Sequence, residues 1–119
     1  MPDLSMFANS ADIREYPPGH IFFSLGEPGD VMYVVVSGEV EIVIREKIIE
    51  TVRTGGVFGE MALIDSHQRS AGARARTTVQ AAVIDHEQFL YLVRTHPSFS
   101  IEVMNVMADR LRLLNEALL

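Results

Sequence analysis

The sequence predicts a mainly β fold, a small roll of short strands that is followed by two helices. Two observations lead to this prediction. The first three-quarters of the chain alternates short β-branched runs with glycine-containing turns, and the last quarter has the apolar spacing of helices. A chain of 119 residues can bury a core of its own. We therefore expect one domain over residues 1–119, with the roll over about 13–85 and the helices over about 86–119.

The predicted strands are short and separated by turn-forming residues. Glycines at 26, 38, 55 and 56 interrupt the apolar runs. The expected strands cover residues 21–23, 31–36, 39–45, 48–52, 71–79 and 81–84. Short strands at this spacing are typical of a sandwich or barrel, and we predict a jelly-roll-like, double-stranded β-roll.

The last quarter of the chain carries helix signals. Asp85 with Gln88 three residues later has the pattern of a capping box, and Pro97 suits the first turn of a second helix. Apolar residues then recur every three or four positions, at Val103, Met107, Leu111, Leu114 and Leu118. This stripe has two interpretations, packing onto the roll or a seam between two copies of the chain.

The composition excludes several functions. The net charge of −6 argues against direct nucleic-acid binding, which needs a basic face. No apolar run is long enough to span a membrane, and no signal peptide is evident, so the expected location is cytoplasmic. The chain has no cysteine and its four histidines are scattered, so we predict no metal site and no cofactor.

Residues 58–71 hold the side chains with the clearest chemistry. Gly59 and Glu60 open a short apolar helical turn, and Arg69 follows a polar loop. An arginine offers a permanently charged, two-pronged grip on phosphate oxygens. Glu60 would repel a phosphate and needs a donor instead, for which a ribose hydroxyl is suited.

This segment, Phe-Gly-Glu-Met-Ala-Leu followed by Arg-Ser-Ala with Arg69 ten residues after Gly59, resembles a phosphate-binding cassette. That cassette belongs to the cyclic-nucleotide-binding domains of protein kinase A regulatory subunits, bacterial catabolite activator proteins and cyclic-nucleotide-gated channels. The turn at 26–30, the pair Met32 and Tyr33, and Gly38 extend the resemblance over about residues 13–119.

The resemblance implies a role for each cassette residue. Glu60 would bind the ribose 2′-hydroxyl. Arg69 would bind the cyclic phosphate, aided by the backbone N–H groups of Ala62 and Ala71 and by the hydroxyl of Ser70.

The resemblance also implies contacts to the sugar and the base. Candidates for lining them are Met61, Leu63 and Val57, and candidates for contacting the purine from the last helix are Arg112 and Asn115. Relatives that favour cyclic GMP often carry a threonine near the arginine, at the position that we assign to Gly72. Because Gly72 offers no hydroxyl, the expected ligand is cyclic AMP, with cyclic GMP as the alternative.

The predicted function is therefore a non-enzymatic cyclic nucleotide sensor whose terminal helices move on binding. A homodimer or a separate effector protein would receive the signal, and the domain could belong to a larger channel or transcription regulator. One alternative is a protein-interaction domain in which Glu60 and Arg69 form a structural ion pair. The other is a cupin-like metalloenzyme, which the missing histidine cluster disfavours.

Overall fold

A computed structural model describes residues 12–65 and 68–118 of the chain. Eight strands and three helices follow one another along the sequence. In chain order they are β1 (Ile13–Tyr16), β2 (Ile21–Phe23), β3 (Val31–Ser37), β4 (Val40–Ile44), β5 (Lys47–Val52), β6 (Val57–Phe58), α1 (Glu60–Asp65), β7 (Gly72–Ala75), β8 (Val79–Asp85), α2 (His86–Thr95) and α3 (Pro97–Leu118).

The strands form two four-stranded antiparallel sheets. One sheet has the order β1-β8-β3-β6 and the other has the order β2-β7-β4-β5. The mainly β, two-sheet roll with C-terminal helices is the architecture that the sequence predicts, and the prediction is confirmed.

Strands β3 and β8 are buried on both faces, which explains their nearly continuous apolar sequences. Val35 and Ala81 face the other sheet, in the core of the roll. Val34 and Ala82 face the opposite way, into a second core that also contains Phe99 of α3. We call this second core the helix-side core. One pair of strands thus joins the roll to its helices.

One strand prediction was wrong. The expected strand over 71–79 ends at Ala75, and β8 begins only at Val79, because the chain passes here from one sheet to the other. Thr77 supports this crossing, since its hydroxyl accepts a hydrogen bond of 3.0 Å from the N–H of Glu39. Strands β1 and β6 are short and were not predicted.

The helix signals are confirmed. The Asp85 side chain accepts from the Gln88 N–H, and the Gln88 side chain accepts from the Asp85 N–H, at 2.8 and 3.1 Å, which completes the capping box of α2. Pro97 is the first residue of α3. No helix in the described ranges is both long and apolar enough to cross a membrane.

The apolar stripe of α3 packs only along its first half. Val103 is buried in the helix-side core and Met107 packs against it, whereas Leu111 is 62% exposed. The side chains of Leu114 and Leu118 lie outside the described residues. Packing onto the roll therefore accounts for the start of the stripe and leaves its later part open.

Candidate ligand-binding site

Arg69 lies where two segments that are far apart in sequence meet. Its N–H donates to the carbonyl oxygen of Glu27 at 2.7 Å, and its carbonyl oxygen accepts from the N–H of Gly26 at 2.9 Å. Next to these bonds, Pro28 and Gln68 form an isolated bridge. The backbone before β7 is thus tied to the turn before β3, which fixes the point from which the arginine side chain extends.

The guanidinium of Arg69 is buried and forms no ion pair with a carboxylate in the described part of the chain. The residue is 6% exposed, and Nη1 and Nη2 donate to the carbonyl oxygens of Gly59 and Val31 at 2.9 and 2.8 Å. Its Nε is buried with no hydrogen-bond partner, and no carboxylate in the described residues forms an ion pair with it. Burial lowers the pKa of Arg69 from its ordinary value, although the charges of Tyr33 and Asp30 oppose this shift. A buried cation of this kind is expected to receive an anion.

Two glycines make room for this guanidinium. A Cβ on Gly29 would lie 2.1 Å from Nε of Arg69, and a Cβ on Gly59 would lie 2.9 Å from its Nη1. Gly59 also has a φ of +78°, a conformation that other residues rarely adopt. Gly29, in the turn at 26–30, and Gly59, in the cassette, therefore both lie against the same arginine side chain.

Glu60, the first residue of α1, is the second buried charge. It is 1% exposed and pairs with Nη1 of Arg110 on α3. Arg110 also holds Glu50 of β5 with a two-pronged contact of 3.0 and 3.2 Å and donates to the carbonyl oxygen of Val57 at 2.7 Å. Burial would lower the pKa of Arg110, but the charges of Glu60 and Glu50 outweigh it and raise that pKa above its ordinary value. This cluster ties α3 to the roll.

A cavity of about 370 Å³ opens between the roll and α3. Arg69 and Glu60 both line it, together with Glu50 and Arg110. Its remaining walls are mostly apolar and include Phe23, Ile42, Ile44, Ile49, Phe58, Met61, Ala62, Ala71, Met107, Leu111 and Leu113. Mainly apolar walls with a few convergent charged groups are typical of small-molecule sites, which span roughly 300–1,000 Å³.

The sequence also matches a known protein family. The family model described as the cyclic nucleotide-binding domain matches residues 13–96. The chain belongs to this family.

Similar proteins include both transcription regulators and kinase subunits. A CRP-like cAMP-activated global transcriptional regulator of Mycobacterium tuberculosis is 32% identical over 109 residues, covering 87% of this chain and 49% of that protein. A cAMP-dependent protein kinase regulatory subunit of Emericella nidulans is 34% identical over 88 residues, covering 72% of this chain and 21% of that protein. This cyclic nucleotide-binding domain thus spans about half the length, or less, of these curated relatives.

The fold is also found in solved structures. The c-di-GMP-responsive global regulator CLP of Xanthomonas campestris superposes with a TM-score of 0.82 at 27% identity, covering 95% of this chain and 60% of that one.

The structure brings most of the predicted cassette residues of this cyclic nucleotide-binding domain to the cavity. Seven of them line it, namely Gly59, Glu60, Met61, Ala62, Arg69, Ser70 and Ala71. Val57 and Leu63 do not line it, because both side chains are buried in the helix-side core. Val57 contributes its carbonyl oxygen to Arg110 instead.

The two residues predicted on the last helix point elsewhere. Arg112 is exposed and pairs with Asp109 at 2.8 Å, and Asn115 is exposed as well; neither lines the cavity. The polar residue of α3 that lines the cavity is Arg110. The helical spacing could have predicted this, because Arg110 comes three residues after Met107 and seven after Val103 and therefore lies on the helix face that packs inward. Arg112 does not lie on that face.

The position used to argue for the base also lies outside the cavity. Gly72 belongs to β7, where a Cβ would lie 3.2 Å from Val43, and it lines a smaller depression on the other side of the sheet. Ser70 lines the cavity instead. The missing hydroxyl at Gly72 is therefore no argument for one base over the other.

Metal chemistry has no candidate site in the ranges 12–65 and 68–118, where no group of three or more His, Asp or Glu side chains is arranged to hold an ion. The cupin-like alternative receives no support from these residues.

Proposed function

We propose that this domain binds a cyclic purine nucleotide in the cavity between the roll and α3, with cyclic AMP as its main ligand. One observation carries the proposal. Arg69 and Glu60 are oppositely charged and buried, they line the same cavity, and each is bonded to groups other than its counterpart. A ligand with an anionic end and a hydroxyl beside it matches this arrangement.

The phosphate fits at Arg69. A guanidinium has five N–H donors. Nη1 and Nη2 of Arg69 each use one on the carbonyl oxygens of Gly59 and Val31, so each keeps a second N–H for a phosphate oxygen, while Nε is buried. No described carboxylate forms an ion pair with this cation, although the charges of Asp30, Glu27 and Glu60 act on it from a greater distance. A phosphate would therefore supply the direct anionic partner that the described residues do not.

The sugar and the base fit along the remaining walls. One carboxylate oxygen of Glu60 pairs with Arg110, and the other can accept a hydrogen bond from the ribose 2′-hydroxyl. Ile42, Ile44 and Met107 offer apolar surface to a purine ring. Cyclic AMP is the main candidate because relatives named as cAMP-activated and cAMP-dependent cover 87% and 72% of the chain. Cyclic GMP and c-di-GMP are the competitors to test, the second because of the regulator from Xanthomonas campestris.

The output is a change in the position of α3, not a reaction. Arg110 connects this helix to Glu60, the residue proposed to hold the ribose, so ligand binding acts directly on the contact that ties α3 to the roll. A shift of the helices follows if the ligand prefers one of their positions. The recipient of the signal is a second copy of the chain or an effector protein, and the cytoplasm remains the expected location.

Calorimetric titration with cyclic AMP, cyclic GMP and c-di-GMP tests the ligand. We expect cyclic AMP to bind with a dissociation constant near micromolar, worth about −8 kcal/mol. Arg69→Ala should weaken binding by several kcal/mol, since it removes the phosphate's charged partner. The matched control is Arg74→Ala. Arg74 lies on β7, the strand that follows Arg69, pairs with Glu41 at 2.9 Å and does not line the cavity. Equal affinities in wild type and Arg69→Ala would overturn the site.

Movement of α3 can be measured by distance. The chain has no cysteine, so a double variant with Lys47→Cys and Glu116→Cys, both at exposed positions, can be labelled selectively at these two sites. Saturating cyclic AMP should change the distribution of distances between two spin labels at these sites. An identical distribution with and without ligand would refute helix movement as the output.

A protein-interaction domain without ligand is the second candidate. It is favoured by the cluster around Arg110, because Glu60 and Glu50 both have a partner within the protein. Under this alternative no heat is released at millimolar concentrations of any of the three nucleotides.

A further inference from the structure

The ring of Phe23 lies directly against the buried arginine. The Cζ atom of Arg69 is 4.1 Å from the centroid of the Phe23 ring. Phe23 is 7% exposed and lines the same cavity. Gly29 is the other close neighbour of the guanidinium, since a Cβ there would lie 2.1 Å from Nε and 2.4 Å from Cζ. We call the surroundings that the Phe23 ring and Gly29 give this guanidinium the arginine slot.

The arginine slot replaces the partner that a buried cation usually has. A guanidinium over an aromatic face is attracted by the electron density of the ring, and the attraction is strongest where water is excluded. Here the ring, two carbonyl oxygens and a glycine surround the cation, and no described carboxylate pairs with it. The side chain is therefore held in place without a described ion pair.

From this geometry we infer that Phe23 is a positioning residue for anion binding. It holds the Arg69 guanidinium in one orientation through its ring face and leaves the charge and the remaining N–H groups of Nη1 and Nη2 available to the phosphate of a cyclic nucleotide. The inference rests on the proposed function, because it states how that site achieves its affinity. An aliphatic side chain at position 23 would fill the volume but would not attract the cation.

The local sheet structure supports this orientation. The pairing of β2 with β7 shifts register between Ile21 and Phe23, so the strand is irregular next to the ring. Phe23 also packs within 6.4 Å of Tyr33 and 6.1 Å of Phe58, measured between ring centroids. The ring is thus fixed from behind while its face meets Arg69.

Fluorination separates the charge effect from packing. Incorporating mono-, di- and trifluorinated phenylalanine at position 23 weakens the cation–π attraction stepwise with little change in size. We expect the affinity for cyclic AMP to fall with each fluorine, reaching about fivefold for the trifluoro ring. The same series at Phe22 is the matched control, since Phe22 belongs to the same aromatic cluster but does not line the cavity. Constant affinity across the Phe23 series, with wild type binding normally, would overturn the inference and leave the proposed function standing.

A second measurement examines the contact without any ligand. In the free protein, the ring current of Phe23 should displace the NMR signal of the Arg69 Nε proton, and Phe23→Leu should move it back while Phe22→Leu leaves it in place. A signal that does not respond to Phe23→Leu would overturn the arginine slot. If the slot is present but wild type binds none of the three nucleotides, the proposed function fails and the role of Phe23 in binding fails with it.

Discussion

The two arginines of the cavity differ in how the protein handles their charge. Arg110 contacts two carboxylates, from Glu50 and Glu60, and its charge is more than compensated. Arg69 has an aromatic ring and two carbonyl oxygens around it and no described carboxylate in contact. The difference teaches that burial of an arginine does not define its role. Arg110 holds structure together, and Arg69 is kept ready for an anion.

The comparison predicts opposite costs for removing the two arginines. Arg110→Met leaves Glu60, which is 1% exposed, without its partner, so we expect it to lower the free energy of unfolding by about 3 kcal/mol. Arg69→Met removes a buried cation that pairs with no carboxylate among residues 12–65 and 68–118, so it should lower the free energy of unfolding by no more than about 1 kcal/mol. Urea unfolding followed by circular dichroism measures both.

Arg112→Met is the control for the first substitution. Arg112 lies on the same helix and forms only an exposed pair with Asp109, so its removal should change stability by less than about 0.5 kcal/mol. Equal losses for Arg110→Met and Arg69→Met would erase the distinction between the two arginines.

A smaller effect sharpens the comparison at Glu50. Glu50→Gln keeps the size of the side chain and removes one of the two negative charges on Arg110, so we expect a loss of about 1 kcal/mol. In the Arg110→Met background the same change should have almost no effect, because its partner is gone. Additive losses in the double variant would show that the two side chains do not interact.

The sequence was sufficient for those parts of the fold that depend on local patterns. Asp85 and Gln88 predicted the start of α2, and Pro97 predicted the start of α3, because capping and proline effects act within one turn. The continuous strand over 71–79 failed because the crossing between sheets depends on contacts with residues near Glu39, which no local pattern reveals.

The candidate site shows the same division. The spacing of Gly59, Glu60 and Arg69 placed three residues on one cavity, since the cassette is continuous in sequence. Arg110 and Phe23 were missed for a different reason. Their contributions come from α3 packing over the roll and from a strand irregularity, both of which are tertiary features.

The arginine slot also links two positions that lie forty residues apart. As long as the Arg69 side chain lies against position 29, no residue with a Cβ fits there, since that atom would occupy the space of the guanidinium. Homologous chains that use this arrangement should therefore carry glycine and arginine together at these positions. A homologous sequence with a residue other than glycine at the position of Gly29 would therefore indicate a receptor in which the arginine side chain lies in a different place.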